Sequence, residues 1–120
     1  MKFSIVISAF NEAARIGATV TASRDQNVPR HDYEIIVVDN TSSDNSVEMV
    51  EKEFPQVLVI ESRENLGFSK ANNAGVEKSK GRYVLFLNPD TVVYKDSLFG
   101  MVEFMDEHKK AGAATCKLVM

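Results

Sequence analysis

Tyr83-Val84-Leu85-Phe86-Leu87-Asn88-Pro89-Asp90 is the stretch from which the rest of the chain can be read. Five residues of that composition read as a buried strand. Pro89, which has no N–H for a strand ladder, stops it. Asp90 is left at the strand's C-terminal tip, and in open α/β sheets ligands bind in the crevice outside such tips. A carboxylate there, beside the Asn88 amide, suits a divalent cation that also holds a substrate phosphate. The stretch implies a phosphate-handling enzyme domain rather than a binding scaffold.

Working outward, strand and helix patterns alternate. Phe3 to Ala9 reads as a first buried strand, with Asn11 placed to cap a helix over roughly Glu12 to Arg24. Tyr33 to Asp39 is a second strand, rich in β-branched residues and acidic at its end. The polar turn Asn40 to Asp44 hands over to a helix carrying Val47, Val50 and Phe54 on one face, which Pro55 closes. Val57 to Ile60 is a third strand, followed by the polar loop Glu61 to Asn65. A helix from about Ser69 to Lys78 carries Ala71, Ala74 and Gly75 for close packing on the sheet, and Gly81 ends that segment. Beyond the Asn-Pro-Asp turn, Asp96 stands ready to cap a helix with Leu98, Met101, Val102 and Met105 at i, i+3, i+4 and i+7. Gly112 opens a last apolar stretch to Met120, in which Cys116 reads as a buried structural thiol.

Near-continuous apolar strands separated by helices imply a parallel sheet covered on both faces, joined by right-handed crossovers. The polar clusters Ser8 to Glu12, Asp39 to Asp44, Glu61 to Asn65 and Asn88 to Asp90 all follow strands. In a parallel sheet those loops meet along one edge and form one polar crevice.

Composition narrows the classes. The chain has 120 residues, 44% of them hydrophobic and 26% charged, which fits one globular domain. Fourteen basic against seventeen acidic residues give a formal charge of −3 with no basic block, so nucleic acid is not an expected partner. A single cysteine allows no internal disulfide, which fits a reducing compartment. No apolar stretch approaches membrane-spanning length, and the expected location is the cytoplasm or the inner face of the membrane. His31 and His108 have no partner at metal-ligand or triad spacing. The glycine signatures of dinucleotide oxidoreductases, P-loop nucleotidases and α/β-hydrolases are missing.

Each polar cluster carries two readings. Asp39 is either a cap for the turn that follows it or a carboxylate accepting from the ring N–H of a pyrimidine. Asn11 and Glu12 are either a helix cap with a first-turn acid or the floor of a nucleotide pocket. Asn65-Leu66-Gly67 reads as an ordinary turn, and Lys70 as a solvated face residue, while Asn72 or Asn73 could reach back to the crevice. Asp90, directly after a buried strand and a proline, is the residue that turn chemistry explains least.

Four segments in this order resemble the nucleotide-sugar half of a family 2 glycosyltransferase of the GT-A fold, in its rhamnosyltransferase-like branch. They are Val6 to Glu12, Glu34 to Asp44, Asn65 to Gly75 and Leu87 to Asp90. The resemblance implies a Rossmann-like three-layer α/β/α domain with a mostly parallel sheet, lacking the C-terminal acceptor-binding portion. It implies that Asn88-Pro89-Asp90 takes the family's D-x-D position, with Asn88 for the first Asp and Asp90 holding Mg²⁺ or Mn²⁺ against a diphosphate. Asp39 would face uracil or thymine, with Ala9, Phe10 and Glu12 lining base and ribose. Ser8, Asn11, Asn40, Ser42, Asn65, Gly67, Lys70, Asn73 and Asn88 would complete the donor pocket. Many relatives have an Arg where Asn72 stands, so cationic help with the phosphates would have to come from elsewhere.

The implied activity is inverting transfer of a sugar from a UDP- or dTDP-linked donor to a saccharide or lipid-linked acceptor. The catalytic base is expected outside this chain, which alone should bind nucleotide weakly and transfer little sugar. An uncovered sheet edge would favour self-association. The competing classes are a receiver-like signalling module, disfavoured by Glu61-Ser62 where its phosphoacceptor should stand, a nucleotidyltransferase, disfavoured by Ala9 to Ala13 in place of a Gly-rich basic loop, and a non-catalytic α/β binding domain.

Overall fold

A computed structural model describes residues 1–115. Four strands, β1 (Phe3–Ala9), β2 (Tyr33–Asp39), β3 (Leu58–Glu61) and β4 (Tyr83–Leu87), alternate with four helices, α1 (Ile16–Arg24), α2 (Ser46–Glu53), α3 (Gly67–Lys78) and α4 (Ser97–Glu107). All pairings are parallel, in the order β3-β2-β1-β4. Ile5 thus lies between Ile35 and Leu85. The sheet grows one way from β1 through β2 to β3, then reverses to place β4 on the far side of β1. The crevice between the carboxyl ends of β1 and β4 is therefore the topological switch point.

Strand alternation divides the core into two layers. Phe3, Ile5, Ile7 and Ala9 of β1 join Tyr33, Ile35 and Val37 of β2 in packing against Ile16 and Val20 of α1, Val50 of α2 and Leu98 of α4. Val6, Ile36 and Val38 face the other way, onto Ala71 of α3. Helices on both faces make the expected three-layer arrangement. The small residues of α3 permit its approach: a Cβ on Gly75 would lie 2.4 Å from Val6 Cγ1.

Several local expectations are corrected. β4 is not the buried strand expected, and β3 is no more buried; Leu58 and Phe86 are about half exposed, because each strand has one neighbour among the described residues. α1 begins at Ile16, not Glu12, and Asn11 does not cap it, for reasons given below. Asp96 stands at the N-cap of α4 but gives that helix no side-chain bond, since its carboxylate accepts from Asn27 Nδ2 at 2.9 Å. Gly81 does more than end a segment. A Cβ there would lie 2.4–2.6 Å from the Phe3 and Ser4 backbone, so only glycine lets the chain enter β4 beside β1. Ala113 to Thr115 are exposed and outside any strand, and Cys116 lies outside the described residues.

Candidate functional site

The loops that follow β1 and β2 are stapled together by short polar side chains. Asn11 adopts φ +53°, a left-handed conformation that asparagine tolerates better than most residues. Its backbone N–H donates to Ser42 Oγ at 2.9 Å, and its Oδ1 accepts from the backbone N–H of Ser43 at 2.8 Å and of Asp44 at 3.3 Å. That is why it caps no helix: its acceptor is already occupied by the second loop. Asp44 answers from the other side, accepting from the Ala13 N–H at 3.2 Å and from the Ser46 N–H at 3.0 Å. The Ser46 hydroxyl donates to it as well. These donors hold the Asp44 carboxyl below its ordinary value, with the Ser46 hydroxyl the largest cause.

One step inward, Asp39 is buried, and its two oxygens accept from the backbone N–H and the hydroxyl of Ser42. The turn-capping role is therefore present. Ser42 links the loops by donating to Asp39 while accepting from Asn11. Asn40, also buried, accepts from the Leu66 N–H at 3.2 Å and donates its own N–H to the Ala9 carbonyl at 2.8 Å. It ties the approach to α3 onto β1 and β2. Asn65 Oδ1 accepts from the Gly67 N–H at 2.9 Å, and Gly67 turns the chain with φ +74°.

The Asn88-Pro89-Asp90 turn is held differently, by α1. The hydroxyl of Thr19, fully buried, donates to the Pro89 carbonyl at 2.7 Å. Further along, Gln26 donates to the Tyr94 carbonyl at 2.9 Å and accepts from the Leu98 N–H at 3.2 Å. The Asn27 N–H reaches the Lys95 carbonyl at 2.8 Å. Arg15, one turn before Thr19, extends between two carboxylates: Nη2 lies 2.8 Å from Glu12 Oε2 and Nη1 lies 3.8 Å from Asp90 Oδ2. The close Glu12 contact is an ion pair without hydrogen-bond geometry, because that buried Oε2 accepts no hydrogen bond. Glu12 and Asp90 thus face each other across the switch point with a guanidinium between them.

No group of three or more His, Cys, Asp or Glu side chains is placed to hold a metal among the described residues. Asp90, with its side chain half exposed, offers one carboxylate to a cation. A Mg²⁺ or Mn²⁺ prefers several oxygens, so the residues present fit such an ion only where a substrate's phosphate oxygens supply the rest.

The structure brings Ala9, Phe10, Asn11, Glu12, Asp39, Asn40, Ser42, Asn65, Asn88 and Asp90 to the ends of the strands or into the loops that follow them. Ser8 is half-buried at the penultimate position of β1. Gly67, Lys70 and Asn73 are on α3; the last two are exposed and make no hydrogen bond or ion pair among the described residues, whereas Asn72 beside them is buried. Arg15 and Thr19 were not among the residues expected from sequence. Their only sequence signal is their spacing, i and i+4 across the start of α1, with Arg15 also at i+3 from Glu12. Two shallow concavities of about 240 and 350 Å³ open at the other end of the sheet, against Phe3 and Tyr33, away from these loops.

The family model for glycosyl transferase family 2 matches residues 4–117. The chain belongs to that family. It is 34% identical over 113 residues to the poly(ribitol-phosphate) beta-glucosyltransferase of Bacillus spizizenii, covering 91% of this chain and 18% of that one. The crystal structure of Staphylococcus aureus TarS 1–349 in complex with UDP-GlcNAc superposes with a TM-score of 0.84 at 29% identity, over 91% of this chain and 32% of that one. The mannosyltransferase PcManGT from Pyrobaculum calidifontis, solved with GDP-Man and Mn²⁺, shares the fold at 24% identity with a TM-score of 0.79. The family 2 domain thus has the GT-A, Rossmann-like sheet, and it spans about a fifth to a third of the first two relatives' lengths.

Proposed function

We propose that this family 2 glycosyltransferase domain binds a nucleoside-diphosphate sugar across the carboxyl ends of β1, β2 and β4, and supplies the donor half of an inverting sugar transfer. The observation that carries the reading is the opposition of Glu12, Arg15 and Asp90 at the switch point, beside a stapled pair of loops with a buried Asp39. The base would lie toward Asp39 and the β1 loop residues Ala9 and Phe10, and the diphosphate toward Asn88 and Asp90. Asn40, Ser42, Asn65 and Gly67 shape the wall between them. TarS, a relative of this chain, was crystallised with UDP-GlcNAc, which favours UDP-linked donors such as UDP-glucose and UDP-GlcNAc for a first trial. dTDP-rhamnose follows from the Asn-Pro-Asp form of the turn.

In the transfer, an acceptor hydroxyl attacks the anomeric carbon as its bond to the diphosphate breaks, and the hydroxyl proton passes to a carboxylate base. Negative charge grows on the departing diphosphate, so cationic groups placed there lower the barrier more than they tighten ground-state binding. Bound at Asp90, Mg²⁺ or Mn²⁺ would supply such charge. None of Asp96, Glu103 and Asp106 stands in that crevice, and the base is assigned to a longer protein or a partner. The acceptor is proposed as a saccharide or lipid-linked chain, met in the cytoplasm or at the membrane's inner face. Self-association through the edge of β4, which pairs on one side only among the described residues, is proposed for the isolated chain.

Calorimetric titration of UDP and dTDP, with and without Mn²⁺, tests the reading on wild type and Asp90→Ala. Metal-dependent binding should be lost in the variant, whose urea midpoint should hardly move because Asp90 is half exposed. No binding by folded wild type would refute the donor site. Robust transfer by these 120 residues alone would refute the assignment of the base to another segment.

A further inference from the structure

The donor-site reading leaves a charge problem at the switch point. Glu12 and Asp90 are both carboxylates, and a nucleoside diphosphate brings further negative charge. Asn72 is buried and uncharged, and Lys70 lies on the exposed face of α3. Arg15 is the one cation paired with Asp90 among the described residues.

The geometry around Arg15 is that of a group with two partners of unequal hold. It is 2.8 Å from Glu12 and 3.8 Å from Asp90, and its side chain is 60% exposed. Thr19, one turn along the same helix, fixes the Pro89 carbonyl at 2.7 Å, so α1 and the Asp90 turn keep their separation while the guanidinium is free to turn. A divalent cation arriving at Asp90 would repel the guanidinium from that carboxylate, while Glu12 keeps it tethered within the crevice. A planar guanidinium is suited to bidentate contact with phosphate oxygens.

We propose that Arg15 is the diphosphate-binding cation of this site and, in the absence of donor, the counter-ion of Asp90. The proposal rests on the donor-site reading, and it makes two opposite demands on one residue. Arg15 competes with a metal for Asp90 when no nucleotide is present, and assists the nucleotide when it is. A merely structural arginine would weaken both.

The test uses Arg15→Met and Arg15→Lys beside wild type, with thermal midpoints recorded to establish folding. Free Mn²⁺ is followed by electron paramagnetic resonance without nucleotide, and uridine, UMP and UDP are titrated calorimetrically without metal and with it. Arg15→Met should bind Mn²⁺ alone several-fold more tightly and UDP about tenfold more weakly, the scale of one charge-assisted hydrogen bond. Uridine binding should be unchanged. Arg15→Lys should keep the wild-type Mn²⁺ affinity and recover only part of the UDP affinity, because it restores charge without the fork. Unchanged UDP binding in Arg15→Met, or weaker Mn²⁺ binding, overturns the proposal while leaving the donor site standing. Failure of folded wild type to bind uridine, UMP or UDP removes the donor site and the proposal together.

Discussion

Beyond β1 and β2, the loops are tied to each other by Asn11, Ser42 and Asp44, each bonding across the gap between strands. Beyond β4, the turn is tied to a helix instead, through the buried Thr19 hydroxyl, and its charged residue remains half exposed. The first region is a closed network whose polar groups are occupied by one another. The second leaves Asp90 facing a guanidinium with no hydrogen bond between them. A pocket for a flat, uncharged base is well served by a rigid wall. On the proposed reading, a site for a diphosphate and a cation needs groups that can change partners, and the looser region is the one suited to it.

The contrast breaks most severely where β4 joins β1. Gly81→Ala drives a Cβ into the Phe3 and Ser4 backbone, and neither is a flexible side chain that can move away. A loss of about 3 kcal/mol is expected in urea unfolding, at the upper end for overpacking. Gly100→Ala, with open space at its Cβ position, serves as the control. Next in size is the staple. Asn11→Ala removes the acceptor for Ser43 and Asp44 and forces alanine into a left-handed conformation, which should cost about 2 kcal/mol. Asn11→Gly should recover the conformational part alone. Equal effects of the two substitutions would show that backbone strain plays no part.

How far these features were legible follows from the range over which each is determined. The apolar runs at Phe3–Ala9 and Tyr33–Asp39, with helical patterns between strands, were enough for a parallel three-layer sheet. The same composition in Leu58 to Ile60 and Tyr83 to Leu87 says nothing about which strands lie at an edge, and the second, expected to be buried, is half exposed at Phe86. Asn11 has the composition of a helix cap, and only the fold shows that its oxygen is committed to Ser43 and Asp44. Gly81 could be read as punctuation, whereas its necessity comes from a backbone distant in sequence. Arg15 carried no motif at all, since its importance depends on Asp90 arriving opposite it from the other end of the chain. Periodicity is local, and it suffices for the order of strands and helices. Partner choice is not local, and that is where the expectations failed.

Two smaller substitutions sharpen the comparison. Thr19→Val keeps the shape but leaves the part-buried Pro89 carbonyl without its donor, costing about 1 kcal/mol. Thr19→Ser should restore much of it. Backbone amide shifts at Asp90 and Thr91 should move in the valine variant, while those at Ser42 to Asp44 stay in place. Movement in both regions would mean that they are a single unit.

The smallest expected effect is on pH dependence, and it isolates the stapled region. Asp44 titrates below its ordinary value because Ser46 and Ala13 donate to its ionised form. Its folded-state affinity for protons is therefore lower than in the unfolded chain. The resulting stabilisation is present at neutral pH, above the unfolded value of about 3.9. It is lost as pH falls through the lowered folded value. Carboxyl titration by NMR should place Asp44 below an ordinary aspartate, and Ser46→Ala should move it back toward that value, since the hydroxyl is the largest cause. An unmoved midpoint would transfer the effect to the backbone donors, Ala13 among them. The staple would then depend on the approach of the two loops rather than on the serine at the start of α2.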